Sequence, residues 1–176
     1  MKRIVIIGLV FLLSLFSVSC SCNDVELIIE KDQLRTYSVE ELIEVFTQYR
    51  EKFERVAKIM LESEEMEQIM HNSGEGVVSI WTQTKSVYFA EEEWNDITEL
   101  FHLTGLQRIE RIRTPCKDAI RFSYRNSNFT TTLYYCETDD EQEVSYFIKP
   151  WTKEFQKIDE YWWVEYYADS DIGKSY

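Results

Sequence analysis

Two histidines, His71 and His102, and four cysteines are the side chains best suited to metal binding or nucleophilic catalysis in this chain. None sits at a spacing such chemistry uses: there is no HExxH, no CxxC and no histidine pair at ligand distance. A Cys–His nucleophile pair can be written only by joining Cys116 or Cys136 to a distant histidine, and cysteines of secreted chains are more often bridged. His71 follows a helical region and His102 lies between Phe101 and Leu103, ordinary places for a cap or surface histidine. No G-x-S-x-G, P-loop or G-x-G-x-x-G occurs, and Gly74-Glu75-Gly76 is too short to cradle a phosphate. Carboxylates are abundant, at 32 Asp and Glu, so an envelope hydrolase using a carboxylate pair is the alternative reading. Yet Glu91 to Glu93 read first as a helix start, and Glu137 to Glu143 as a turn without EF-hand spacing. The residues name no catalytic group, no metal and no cofactor.

Charge and the N-terminus say more. The formal charge is −13; without the first 22 residues it is −15, from 17 basic against 32 acidic residues. A body this acidic, lacking a basic cluster in its sequence, repels phosphate backbones, so no nucleic-acid partner is expected. Lys2 and Arg3 precede an apolar run from Ile4 to Val18, shorter than the roughly 20 residues of a spanning helix and ending in small residues. This is the pattern of a secretion signal. Ser17-Val18-Ser19-Cys20 resembles the lipobox of bacterial lipoproteins, with Ser17 where leucine is usual, and the resemblance makes Cys20 the acylated residue. The expected organisation is a signal peptide over 1–19, a lipid-anchored tether over 20–36, one domain over 37–169 and a frayed end over 170–176. The expected location is the extracytoplasmic side of the cell membrane, or, without the lipid, the secreted fraction.

In such a compartment Cys116 and Cys136 form a possible disulfide. The hairpin register sets a condition on it. If Asn126 pairs with Phe129, Cys136 falls opposite Ala119 and Cys116 has the other parity, so a bridge needs the strand to begin after Cys116. Both states of the thiols stay open.

The elements that would position any site follow from periodicity. Ser38 and Glu41 make a capping box for a helix whose stripe is Val39, Leu42, Phe46, Tyr49, Phe53, Val56 and Met60. It either ends near Glu62 or continues through Met66 to Met70. Strands are expected at 77–81 and 86–89, then a second helix from Glu91 to a stop at Gly105. Leu106 to Ile112 leads into a long antiparallel run: Ile120, Phe122 and Tyr124 should face Tyr135, Leu133 and Thr131. Val144, Tyr146 and Ile148 read as a further strand, and 155–158 with 161–167 as a terminal hairpin. The fold class is therefore α+β, an antiparallel β-sheet covered on one face by a long amphipathic helix and a second helix.

The strand Tyr161 to Tyr167 is aromatic on both faces, with Trp162, Val164 and Tyr166 on one and Tyr161, Trp163 and Tyr167 on the other. It is covered on both sides, or else Trp162, Trp163 and Tyr166 present a binding surface for a protein or glycan of the envelope. The signal, the stretch Tyr49-Arg50-Glu51-Lys52-Phe53-Glu54 and the ending Ile158-Asp159-Glu160-Tyr161-Trp162-Trp163 resemble uncharacterised small lipoproteins of Gram-positive bacteria. That resemblance carries no activity and assigns no site. The resulting expectation is a membrane-tethered, non-enzymatic binding domain of unassigned oligomeric state.

Overall fold

The computed structural model describes residues 35–72, 77–82, 89–115, 117–126, 128–138 and 140–168, with backbone alone for 72, 77–82, 141 and 142. The signal, Cys20, most of the tether, all but Phe89 of the strand expected at 86–89, Cys116 and the C-terminal end lie outside the described residues.

Helix α1 (Val39–Glu62) opens with the capping box: the Glu41 amide donates to Ser38 Oγ at 3.2 Å, and the Ser38 amide to Glu41 Oε2 at 2.8 Å. It kinks at Tyr49 and stops at Glu62. The segment after it is strand β1 (Met66–Asn72), correcting the continued helix. Helix propensity in Met66-Glu67-Gln68 yields there to pairing with two neighbouring strands, β2 (Val77–Thr82) and β3 (Arg108–Ile112). Helix α2 (Glu91–Thr104) lies between them in sequence. Three glutamates fill its first turn, and Gly105, at φ 65°, ends it in the left-handed conformation that glycine adopts without strain.

Strands β4 (Ala119–Arg125) and β5 (Phe129–Tyr135) pair in the expected register, Ile120 with Tyr135, Phe122 with Leu133 and Tyr124 with Thr131. The strand expected at 144–148 is instead a short helix, α3 (Glu141–Val144), and turns. The Val144 amide bonds back to Asp140 O at 3.1 Å, and Phe147 is buried while Tyr146 and Ile148 are exposed. Strands β6 (Glu154–Asp159) and β7 (Trp162–Ala168) form the closing hairpin.

The seven strands make one antiparallel sheet in the order β2-β1-β3-β4-β5-β7-β6. Both long helices cover one face, as the α+β reading has it. Leu42, Phe46, Phe53, Val56 and Met60 of α1 and Ile97, Leu100 and Phe101 of α2 pack on Ile69, Ile109, Phe122, Leu133 and Val164. Trp162 sits at the centre of this core, its ring 4.8 Å from that of Phe46 and 5.0 Å from that of Tyr135. Ion pairs tie the helices together: Arg55 grips Asp96 through two nitrogens at 2.7 and 2.9 Å, and Lys52 reaches Glu99 at 2.5 Å.

The strands give the domain two distinguishable ends. The chain comes in at Arg35, whose amide donates to Gly105 O at 3.3 Å, and Thr36 accepts from the Asn126 side chain at 3.4 Å. Residues 35 and 36 thus pack on the domain. At the opposite end lie the C-terminus of α1, the close of β3 and the β6–β7 turn.

Candidate functional site

The sheet face away from the two helices carries a row-like set of buried and half-buried polar side chains. Alternation and register lay it out in rows across six strands. One row runs Gln68, Glu110, Arg121, Tyr134, Trp163, Lys157; the next runs Met70, Arg108, Ser123, Thr132, Glu165, Phe155. The two halves of this face differ.

Over β5, β7 and β6 the face is closed. The segment from Cys136 through α3 folds back across it, so that Ala119, Tyr134, Cys136, Val144, Phe147 and Trp163 form a second small core. Tyr134 stacks on Phe147 at 5.8 Å, Phe155 on Trp163 at 5.5 Å, and Lys157 Nζ stands 5.2 Å over the Trp163 ring. Beneath this cover lies Glu165, with 0% exposure. Its carboxylate accepts from the Tyr134 hydroxyl on one oxygen and from the Thr152 hydroxyl on the other. Burial, then the neighbouring Glu165 charge, pushes the Tyr134 phenol far above its ordinary range, keeping it a donor.

Over β1, β3 and β4 the face is half-exposed and polar, with Gln68, Arg108, Glu110, Arg121 and Ser123 at its surface. Glu110 bridges two arginines, accepting from Arg121 and, at 3.5 Å, from Arg108. Burial works against the Arg121 charge, but Tyr134 and Glu110 beside it hold the guanidinium protonated beyond its usual range. Arg121 Nε and Thr132 Oγ1, both buried, have no hydrogen-bond partner.

The aromatic surface expected at Trp162, Trp163 and Tyr166 is corrected. Trp162 is 2% and Trp163 3% exposed, the first under α1 and the second under the α3 segment, while Tyr166 packs half-buried against the main core. The strand is covered on both sides, and its aromatics are structural. Cys136 is a buried free thiol, and its expected partner Cys116 lies outside the described residues. His71 is buried and His102 exposed. They stand on different elements: β1 for the first and the last turn of α2 for the second.

A carboxylate pair needs about 5–9.5 Å between its members. Glu165 and Glu110, which share this face, stand in different rows on strands three spacings apart, about 14 Å. Glu91 to Glu93 serve the start of α2, where Glu93 accepts from the Ala90 amide at 2.8 Å. Among the described residues no cluster of His, Cys, Asp and Glu is arranged to hold a metal, and no helix is long and apolar enough to cross a membrane. The polar face was missed in the sequence. Its signal was Glu165, a lone acid inside an aromatic strand. Comparison with family models, with curated proteins and with solved structures returned no match.

Proposed function

We propose that this protein is a lipoprotein tethered through Cys20 to the extracytoplasmic side of the cell membrane, where it works as a non-enzymatic binding domain. The anchor part rests on the basic start, the short apolar run and the lipobox-like Ser17 to Cys20, and on the resemblance to small Gram-positive lipoproteins. The observation that supports binding is the uncovered half of the second sheet face. Two arginines, an acid and a hydroxyl (Arg108, Arg121, Glu110 and Ser123) are held there half-exposed in fixed rows on rigid strands. A flat polar surface of this kind suits an envelope protein or glycan that offers carboxylates to Arg108 and acceptors to Ser123.

Two measurements test the reading. The intact mass of protein from its native host should equal residues 20–176 plus acyl chains; an unmodified mature mass would make it a secreted domain. A photo-crosslinking amino acid in place of Ser123 should capture an envelope component in intact cells, and Arg108→Glu should abolish the capture. Capture that survives Arg108→Glu, or none at all, would remove this face from consideration.

A further inference from the structure

We propose that the strap from Asp140 to Thr152 is a lid, and that the sheet surface beneath it is a closed binding site for a sugar ring. The site lies over β5 and β7, beside the uncovered half of the second face and separate from it. Its ligand class rests on the envelope reading above; the lid needs neither the anchor nor the Arg108 surface.

The strap sits on this surface as a ligand would. Phe147 lies flat on Tyr134, the ring planes 9° apart and the centroids 5.8 Å apart. Thr152 gives its hydroxyl to Glu165, which is 0% exposed. Tyr134 and Glu165 stand on neighbouring strands, about 5 Å apart. A flat ring on an aromatic face, with a hydroxyl on a carboxylate one strand away, is how a pyranose meets a protein. Its C–H face takes the ring and its hydroxyls take the fixed polar groups.

The strap fills these contacts incompletely. Trp163, 3% exposed beneath it, has an indole nitrogen with no acceptor. Thr132, 1% exposed and paired with Glu165 across the sheet, has a hydroxyl with no partner. Buried polar atoms in a finished core are almost always satisfied. Phe147 is pure hydrocarbon and can serve neither; the oxygens of a sugar can serve both. A polypeptide fits less well, because chains join sheets by extending an edge, and this is a face.

The strap is built to move as one piece. Its backbone bonds are local: the amides of Val144, Tyr146, Phe147, Ile148 and Thr152 reach carbonyls three or four residues back. Val144 and Phe147 enter the second core, while Tyr146 and Ile148 between and after them are exposed. Both feet are fixed to the sheet, Cys136 through its amide to Tyr161 O at 3.0 Å and Lys153 through its amide to Tyr166 O at 2.9 Å. The strap therefore swings between two anchored points. The main core lies under α1 and α2 on the other face, so lifting the strap leaves it intact.

The test uses the full mature chain and oligosaccharides released from the host's own envelope. Their addition should shift the Trp163 indole resonance. A closed lid lowers apparent affinity by the fraction of molecules that are open, so Phe147→Ala, which removes the stacked ring, should bind about tenfold more tightly than wild type. No binding by either protein, equal binding by both, or binding that leaves Trp163 unmoved would overturn the proposal. So would a shift that only envelope protein produces. A second measurement needs no substitution. The Trp163 indole proton should exchange with solvent through an opening that low urea does not promote, while β5 amides exchange through one that it does. If urea accelerates both alike, the strap opens only as the domain unfolds, and it is no lid. Failure of capture at Ser123 leaves these results standing and removes only the uncovered half of the face.

Discussion

The guanidinium of Arg111, on strand β3, donates to the main-chain oxygen of Met60 in the last turn of helix α1. The same nitrogen reaches Ser63 O at 2.6 Å, and its twin reaches Asp118 at 3.1 Å. Helix α1 has no basic residue in its last turn, so a cation 51 positions away satisfies its terminal carbonyls. One side chain therefore fastens the longest helix to the middle of the sheet and fixes where β1 can begin.

Replacing Arg111 with methionine fills similar volume but leaves those carbonyls without a donor and Asp118 with only the distant Arg113, at 3.8 Å. Urea denaturation should show a loss of about 2–4 kcal/mol. A cost under about 0.5 kcal/mol would mean that the cap is incidental.

Glu165 is the second such lock. Glu165→Gln keeps an acceptor for one of the two hydroxyls, whereas Glu165→Leu strands both Tyr134 and Thr152. Leucine should therefore cost more than glutamine by about 1–3 kcal/mol. It should also loosen the α3 segment, seen as faster amide exchange at Phe147. Equal stability of the two variants would show that the hydroxyls find other partners.

How much of this was legible in the sequence depends on where the deciding contact lies. The β4–β5 register could be read because Asn126 to Asn128 and the flanking alternation are local. The β1 strand could not, since Met66 to Met70 is neutral between helix and strand and is decided by β3, some forty residues on. Val144, Tyr146 and Ile148 alternate as a strand would, yet Tyr146 and Ile148 are exposed, and it is Val144 and Phe147, three positions apart, that pack in the second core, Phe147 on the Tyr134 ring. The polar face stayed hidden because Arg121, Thr132 and Glu165 come from three separate strands. Only the register brings them together.

Asp96 gives the domain a predictable acid sensitivity. The Arg55 guanidinium holds its carboxyl below the usual range against some burial, and Lys52 adds to this. A depressed folded value means that the stabilisation is present above about pH 4 and is lost as pH falls through the folded value. The stability difference between wild type and Asp96→Asn, on the order of 1 kcal/mol at pH 7, should therefore shrink towards nothing near pH 2. A difference constant from pH 7 to pH 2 would contradict it.

Cys136 should be silent until the domain opens. Burial pushes its thiol up to about 11, with Glu143 adding to the shift. This preference for the neutral thiol stabilises the fold fully below about pH 8.5 and is lost as pH rises through about 11. At pH 8 a maleimide should label it in urea but not in buffer, and without reductant. If labelling in urea requires a reductant, Cys136 is bridged, with Cys116 the expected partner.

Strand β6 ends the sheet, and among the described residues no strand pairs with its outer edge. Its sequence Glu154-Phe155-Gln156-Lys157 exposes three polar side chains, and its pairing with β7 slips between Lys157 and Asp159. For copies held on a membrane by their lipids, neighbours meet in two dimensions at high local density. A flat apolar edge would there recruit the next copy strand by strand. On the proposed lipid anchor, the charged, dislocated border of β6 would keep a crowd of such molecules from zipping into a continuous sheet.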